Sequence, residues 1–192
     1  MEERKRIKSR HFIIAGTFLI LFGISYLVYD WYNDYKMLKD DNKQLEAFFD
    51  NNYDNKKNLI NEDYIMVLEI PKINLKRGIS DIKSSKNDVN LNIEIINSSN
   101  MPNIKNSNLI LASHSGTSSI SYFKNLDKLE LGDYSYIYYE NKKYVYKVVN
   151  IYEVKKNGAI EIIRDNNKNT LTMITCDKDN YDKQIVYISE LI

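Results

Sequence analysis

The sequence predicts a mostly-β domain, a closed or nearly closed barrel of short strands, preceded by an N-terminal transmembrane helix. Three observations predict it. A stretch of 18 residues near the N-terminus carries no charge. From about Glu62 the chain divides into seven or eight short β-rich segments separated by turn residues, with few helical patterns. Hydrophobic residues make up 43%, enough for a core, while 6 Gly and 2 Pro exclude collagen-like and proline-rich readings.

Residues 1–11 carry Arg4, Lys5, Arg6, Lys8 and Arg10 against Glu2 and Glu3, a local net of +3 in a chain of net +1. Phe12 to Tyr29 follows without a charge. A helix of that length spans about 27 Å, close to the hydrocarbon thickness of a bilayer. A core helix is rarely uncharged around its whole circumference. A cleaved signal ends at small residues, whereas this segment runs into Val28-Tyr29-Asp30-Trp31-Tyr32. Residues 12–29 therefore read as an uncleaved anchor, with Tyr26, Tyr29, Trp31 and Tyr32 as its aromatic belt. The basic tip, 1–11, is expected on the cytoplasmic side and the domain outside the cell membrane. Residues 30–61 read as a helical stalk or linker. Trp31, Tyr35, Leu38, Leu45 and Phe49 share one helix face, and the polar run 50–58 is expected to break the helix. Such a helix is either a spacer or packs on the domain or a partner.

Within 62–192, Tyr64–Ile70 reads as a strand stopped by Pro71, and Ile73-Asn74-Leu75 starts an alternation that runs to Ile79. Asn108–Ala112 is a short apolar run suited to a central strand. Ser119–Leu131 reads as a short helix and its exit. Tyr134, Tyr136 and Tyr138 alternate, as do Tyr144, Tyr146 and Val148, with Glu140–Lys143 as the turn between two hairpin strands. β-Propensity accounts for these tyrosines. Thr170–Thr175 and Ile185–Ile188 complete the set.

The charge balance, 27 basic against 26 acidic residues, gives no footprint for nucleic acid. A single Cys excludes an intramolecular disulfide and a cysteine zinc site. No carboxylate cluster suggests calcium, so neither metal nor cofactor is expected. Two residues stand out. Cys176 ends the strand TLTMIT before a charged turn, and an unpaired Cys outside the membrane is a reactive thiol or an intermolecular partner. A small buried hydrophobe is the plain alternative. His114, the domain's only His, also ends an apolar strand at a polar loop. A thiol needs a nearby base or cation to attack near neutral pH, and His is the usual one. The pair points to Cys–His acyl transfer.

Three segments, in order, carry a family resemblance. Leu68-Glu69-Ile70-Pro71-Lys72-Ile73-Asn74 resembles the "IPKI" signature of sortases, Leu109–Ser115 their His-bearing strand, and Thr170–Asp177 their TLxTC-type Cys strand. The gap of 62 residues from His114 to Cys176 suits the family, and the match covers about 62–192. The resemblance implies an eight-stranded sortase-type barrel and a cysteine transpeptidase. Cys176 would attack the sorting-signal peptide of a secreted protein, commonly LPxTG-like, after its Thr. His114 would protonate the leaving amine. An amine on a cell-wall precursor or a pilin would resolve the thioester. Thr175 and Ser113 would line the substrate site. The family also places an Arg at the start of the last strand, facing the Cys, and no Arg follows Cys176 here. Aligning Ile185–Ile188 with that strand puts Lys183 in its place, or Gln184 as second choice. Lys brings charge without a bidentate fork. A sortase-like peptide-binding module of the cell envelope, weak or inactive in turnover, is the alternative, and a structural envelope protein a third reading. The short segment 155–169 and the chain's end at the last strand suggest a class A- or D-like member more than class B.

Overall fold

The computed structural model describes residues 2–53 and 64–192. They fall into two units, 1–40 and 41–192. One helix, α1 (Glu2–Tyr53), supplies the first unit and continues into the second. None of its most apolar stretch is buried, and with a mean hydropathy of 2.2 the helix is by length and composition apolar enough to cross a membrane. The remainder of the polar run expected to break the helix, 54–58, and the end of the expected stalk lie outside the described residues.

The second unit is a nearly closed barrel of eight strands. They are β1 (Met66–Ile70), β2 (Leu75–Ile79), β3 (Glu94–Ile95), β4 (Asn108–Ala112), β5 (Tyr134–Tyr139), β6 (Lys142–Lys155), β7 (Thr170–Cys176) and β8 (Lys183–Leu191). The order is β2-β1-β5-β6-β8-β7-β4-β3. Every pairing is antiparallel except β4 with β7. Pro71 ends β1 because it has no N–H for the ladder. A 3-10 turn (Pro71–Ile73) and Asn74 at φ 52° reverse the chain into β2. Glu140 and Asn141, both with positive φ, form the two-residue hairpin turn whose twist suits the flanking strands. β6 serves both halves of the sheet. It pairs with β5 through Lys147 and with β8 through Lys155, and a register shift between Val148 and Asn150 bends it.

Met66, Leu68, Ile79, Leu109, Leu111, Phe123, Leu126, Ile137, Tyr146, Leu171, Met173 and Tyr187 fill the barrel. The β4–β7–β8 region is also apolar outside, where Ile110, Ile174, Val186 and Ile188 pack under Ile160 and Ile162. Successive strand residues face opposite sides, so both faces of these strands are covered.

Three elements differ from the sequence reading. The expected helix over Ser119–Leu131 is a chain of turns with one 3-10 turn (Leu126–Lys128). Phe123, Leu126 and Leu129 are all buried at a spacing of three, the period of a 3-10 helix, and the backbone bonds there run i to i+3. β3 has two residues, too short for any periodicity, and is fixed by the Asn87 side chain, which bonds both the N–H and the C=O of Ile95. The stalk face splits. Trp31, Tyr35 and Leu38 are exposed, whereas Leu45 and Phe48 pack on Tyr64 and Val67.

A polar cluster joins this last part of α1 to the barrel. The Asp41 carboxylate meets Arg77 Nη1 at 2.6 Å and accepts from the Tyr64 hydroxyl at 2.6 Å. Burial pushes the Tyr64 phenol up, so it remains a donor. Arg77 also donates through Nε to Asn92 at 2.8 Å and lies over the Tyr122 ring. Asn92 in turn donates to the Gly78 carbonyl at 2.9 Å, bridging the seam between β2 and the segment before β3. Gly78 is required here, because a Cβ would fall 2.0 Å from the Tyr64 ring. Asp41 and Arg77 are both buried. Removing one partner of such a pair strands a charge, so Arg77→Met is expected to lower the unfolding free energy by about 3–5 kcal/mol. Urea denaturation of the full chain in detergent measures this. Adding Asp41→Leu should recover most of the loss, and an Arg77→Met chain of undiminished stability contradicts the assignment.

Candidate active site

The parallel ladder positions the site. Asn108 pairs with Thr170 and Ala112 with Ile174, in unbroken register. His114 and Cys176 each follow two residues later, so they sit level on adjacent chains and on the same side as Ile110 and Ile174. The Ser113 N–H donates to the Ile174 carbonyl at 3.3 Å, and the Thr175 hydroxyl donates to the Ser113 carbonyl at 2.8 Å, tying the two chains beyond the ladder's last pair. On the other flank, β8 pairs with β7 so that Gln184 stands opposite Cys176. Directly opposed residues of an antiparallel pair share a face, so Gln184 stands on the same face of the sheet as Cys176.

Cys176 and His114 are half-buried, and both line an open cleft of about 970 Å³. Its far wall is the loop from Ser115 to Asn125, rich in hydroxyls, and Tyr181 and Lys178 close the other side. An ion pair between Lys178 and Asp127, at 2.9 Å, joins the β7–β8 turn to the 3-10 turn. The His114 carbonyl accepts from the Phe123 N–H at 3.1 Å, which folds that wall back toward the imidazole. His114 Nε2 faces Asn90 Oδ1 at 3.4 Å. An amide oxygen only accepts, so Nε2 is the donor in that contact. Tyr187 lines a small cavity with Cys176, and burial pushes its phenol up to about 12, with Asp127 and Asp177 adding to the shift.

The other residues singled out from the sequence divide. Thr175 and Ser113 are buried, at 4% and 3% exposure, and their bond to each other holds the strand ends. Thr175 also borders a smaller cavity of about 180 Å³ that reaches Cys176. Lys183 pairs across β8 and β6 with Glu153, and lies on the sheet face opposite Gln184. The hydrogen bond to Glu153, reinforced by that carboxylate's charge, raises the Lys183 ammonium above the ordinary lysine value.

A residue the sequence reading missed is Lys156, whose Nζ lies 3.7 Å from Cys176 Sγ. β6 explains it. Val154 pairs with Gln184, and Gln184 with Cys176, so Lys156, two residues on from Val154, follows the same face. Its N–H donates to the Asp182 carbonyl at 2.8 Å, which fixes the backbone. The signal in the sequence was the parity of β6, readable only once its register against β8 is known.

Thr175→Val removes the donor to a buried carbonyl, and is expected to lower stability by about 1–3 kcal/mol. Chemical denaturation checks it, and Thr175→Ser should keep most of the bond. A Thr175→Val chain of wild-type stability contradicts the tie between the two strands.

Residues 68–192 match the family described as the Sortase domain. No curated protein matches the chain. Among solved structures, a Clostridium perfringens sortase D5 transpeptidase is 24% identical, with a TM-score of 0.61 over 79% of this chain and 98% of that one. Sortase C1 from Streptococcus agalactiae is 26% identical, with a TM-score of 0.59 over 70% of each chain. A lid mutant of sortase A from Corynebacterium diphtheriae is 21% identical, with a TM-score of 0.59 over 67% of this chain and 69% of that one. The matched stretch runs from β1 through both strand ends of the site to the last residue, and on it the chain belongs to the sortase family.

Proposed function

We propose that this sortase is a membrane-anchored cysteine transpeptidase of the cell envelope, with Cys176 as nucleophile and His114 as general acid and base. The observation that carries the reading is the parallel β4–β7 register, which brings the chain's one thiol level with an imidazole in a single cleft. Residues 62–192 form the catalytic domain and 12–29 the anchor. The basic tip 1–11 lies in the cytoplasm. Residues 30–61 form the stalk, whose part from Asp41 holds to the barrel. The substrate is a C-terminal sorting signal of a secreted surface protein, LPxTG-like. The acceptor is an amine on a cell-wall precursor or a pilin. Pilin is the substrate named for a Streptococcus pneumoniae sortase C of the same fold.

The geometry supports the following steps. The peptide lies along the cleft; the Cys176 thiol gives its proton to His114, and Sγ attacks the carbonyl carbon of the Thr residue. As the S–C bond forms, the carbonyl π pair moves to oxygen. Gln184, opposite Cys176, offers that oxygen an amide N–H. When the pair returns, the C–N bond breaks and its electrons go to the leaving amine, which takes a proton from His114. The thioester remains. An incoming amine then attacks the same carbonyl carbon, loses its proton to His114 and expels the thiolate. Ser113 and Thr175 border the site from beneath and hold the two strands in register.

Mass spectrometry of the full chain in detergent, mixed with a panel of LPxTG-like peptides, tests this. An acyl adduct on Cys176 is expected, and Cys176→Ala and His114→Ala should each abolish it while circular dichroism is unchanged. Peptide binding with no adduct under any condition contradicts catalysis, and an adduct that survives His114→Ala contradicts its role.

A further inference from the structure

We infer that Lys156 supplies the positive charge of this site, the part for which the chain has no arginine after Cys176. The inference rests on Cys176 being the nucleophile. Lys156 Nζ contacts Sγ at 3.7 Å, and among the described residues no carboxylate pairs with it. Lys183 fails on both counts, since its ammonium is held by Glu153 on the other face of the sheet. Gln184 reaches the right face but is neutral. The Lys156 backbone is anchored to Asp182, so the side chain starts from a fixed point at the mouth of the β6–β7 segment.

The position suits the chemistry. In the attack on the peptide, negative charge leaves sulfur and gathers on the carbonyl oxygen, which is bonded to the same carbon. An ammonium in contact with Sγ is therefore within reach of that oxygen as well. Lysine has three donors on a flexible stem, so its hydrogen bond can pass from sulfur to oxygen without a backbone movement. When the oxygen's pair returns and the C–N bond breaks, the leaving amine takes its proton from His114. Lys156 keeps its own proton throughout and acts as a fixed charge at the point where charge develops. The location just after β6, rather than on the last strand, follows from the register: β6, β8 and β7 present Val154, Gln184 and Cys176 in one row, and Lys156 lies two residues beyond Val154 on the same face.

The test uses the full chain in detergent, with Lys156→Met and Lys156→Arg. Lys156 is exposed, so both variants should keep the wild-type melting temperature. The first readout is the rate of Cys176 alkylation by iodoacetate divided by that with neutral iodoacetamide, at one pH. A cation beside the sulfur favours the anionic reagent, and Lys156→Met should lower the ratio about fivefold, the order of one unit-charge contact in water. Lys156→Arg should keep it. The second readout is transpeptidation of a sorting-signal peptide. Lys156→Met should lower kcat about 100-fold, the scale of a lost oxyanion donor, with KM moved less than about threefold. Lys156→Arg should hold kcat within about tenfold of the wild type, because the charge is retained. An unchanged ratio in Lys156→Met overturns the inference, as does a ratio that collapses in Lys183→Met instead. A lowered ratio with kcat intact makes Lys156 a bystander and also overturns it. If Cys176→Ala keeps turnover, the nucleophile assignment has failed, an outcome distinct from a dead Cys176→Ala beside an active Lys156→Met.

Discussion

One parallel pairing organises this molecule. Seven ladders of a small barrel could all have been antiparallel, but β4 and β7 run the same way, so their ends emerge side by side. Two strands that are parallel and adjacent release their following residues at one edge, at one height and with the same alternation of faces. That geometry brings an imidazole two residues past the end of β4 and a thiol 62 residues later, at the end of β7, to one cleft. The buried Thr175–Ser113 bond extends the constraint past the last ladder pair, where strand ends would otherwise fray.

The same strands explain why the site has a floor. β4, β7 and β8 are apolar on both faces, and the segment after β6 folds its Ile160 and Ile162 over the outer one. Tyr152 pins that segment by accepting the Ile163 N–H and donating to the Glu161 carbonyl, both at 2.9 Å. The row of outward residues then ends in polar chemistry where the covering segment stops. At the opposite seam of the sheet, Arg77 and Asn92 do by side chains what a ladder does elsewhere. Asp41, on the last part of α1, meets that seam as a buried counter-charge to Arg77.

Much of this was legible in the residues. The uncharged run from Phe12 marked the apolar helix. The strands around Pro71, at Asn108–Ala112 and at Thr170–Cys176 were visible because short apolar runs between polar turns have few other readings. Cys176 and His114 stood out by scarcity and by their places at the ends of apolar strands. The misses have physical reasons. β3 owes its place to the Asn87 side chain rather than to its own two residues. The Ser119–Leu131 segment buries residues three apart, and that spacing serves a 3-10 turn as well as it suggests a longer helix. Lys156 was hidden because its position depends on a pairing between distant strands. The last strand offers Lys183, which Glu153 holds, whereas a cation reaches the sulfur from just past the end of β6.

The decisive claim is that the two strand ends hold residues 114 and 176 side by side, and cross-linking measures it directly. Neighbouring chains of a sheet lie about 4.8 Å apart, inside the roughly 4.4–6.8 Å between Cα atoms that a disulfide spans. In a His114→Cys chain under mild oxidation, the introduced thiol should bond to Cys176 within one molecule, leaving no free thiol in denaturant and no dimer. Two thiols that both stay titratable in a folded monomer would contradict the placement on which the site and its chemistry depend.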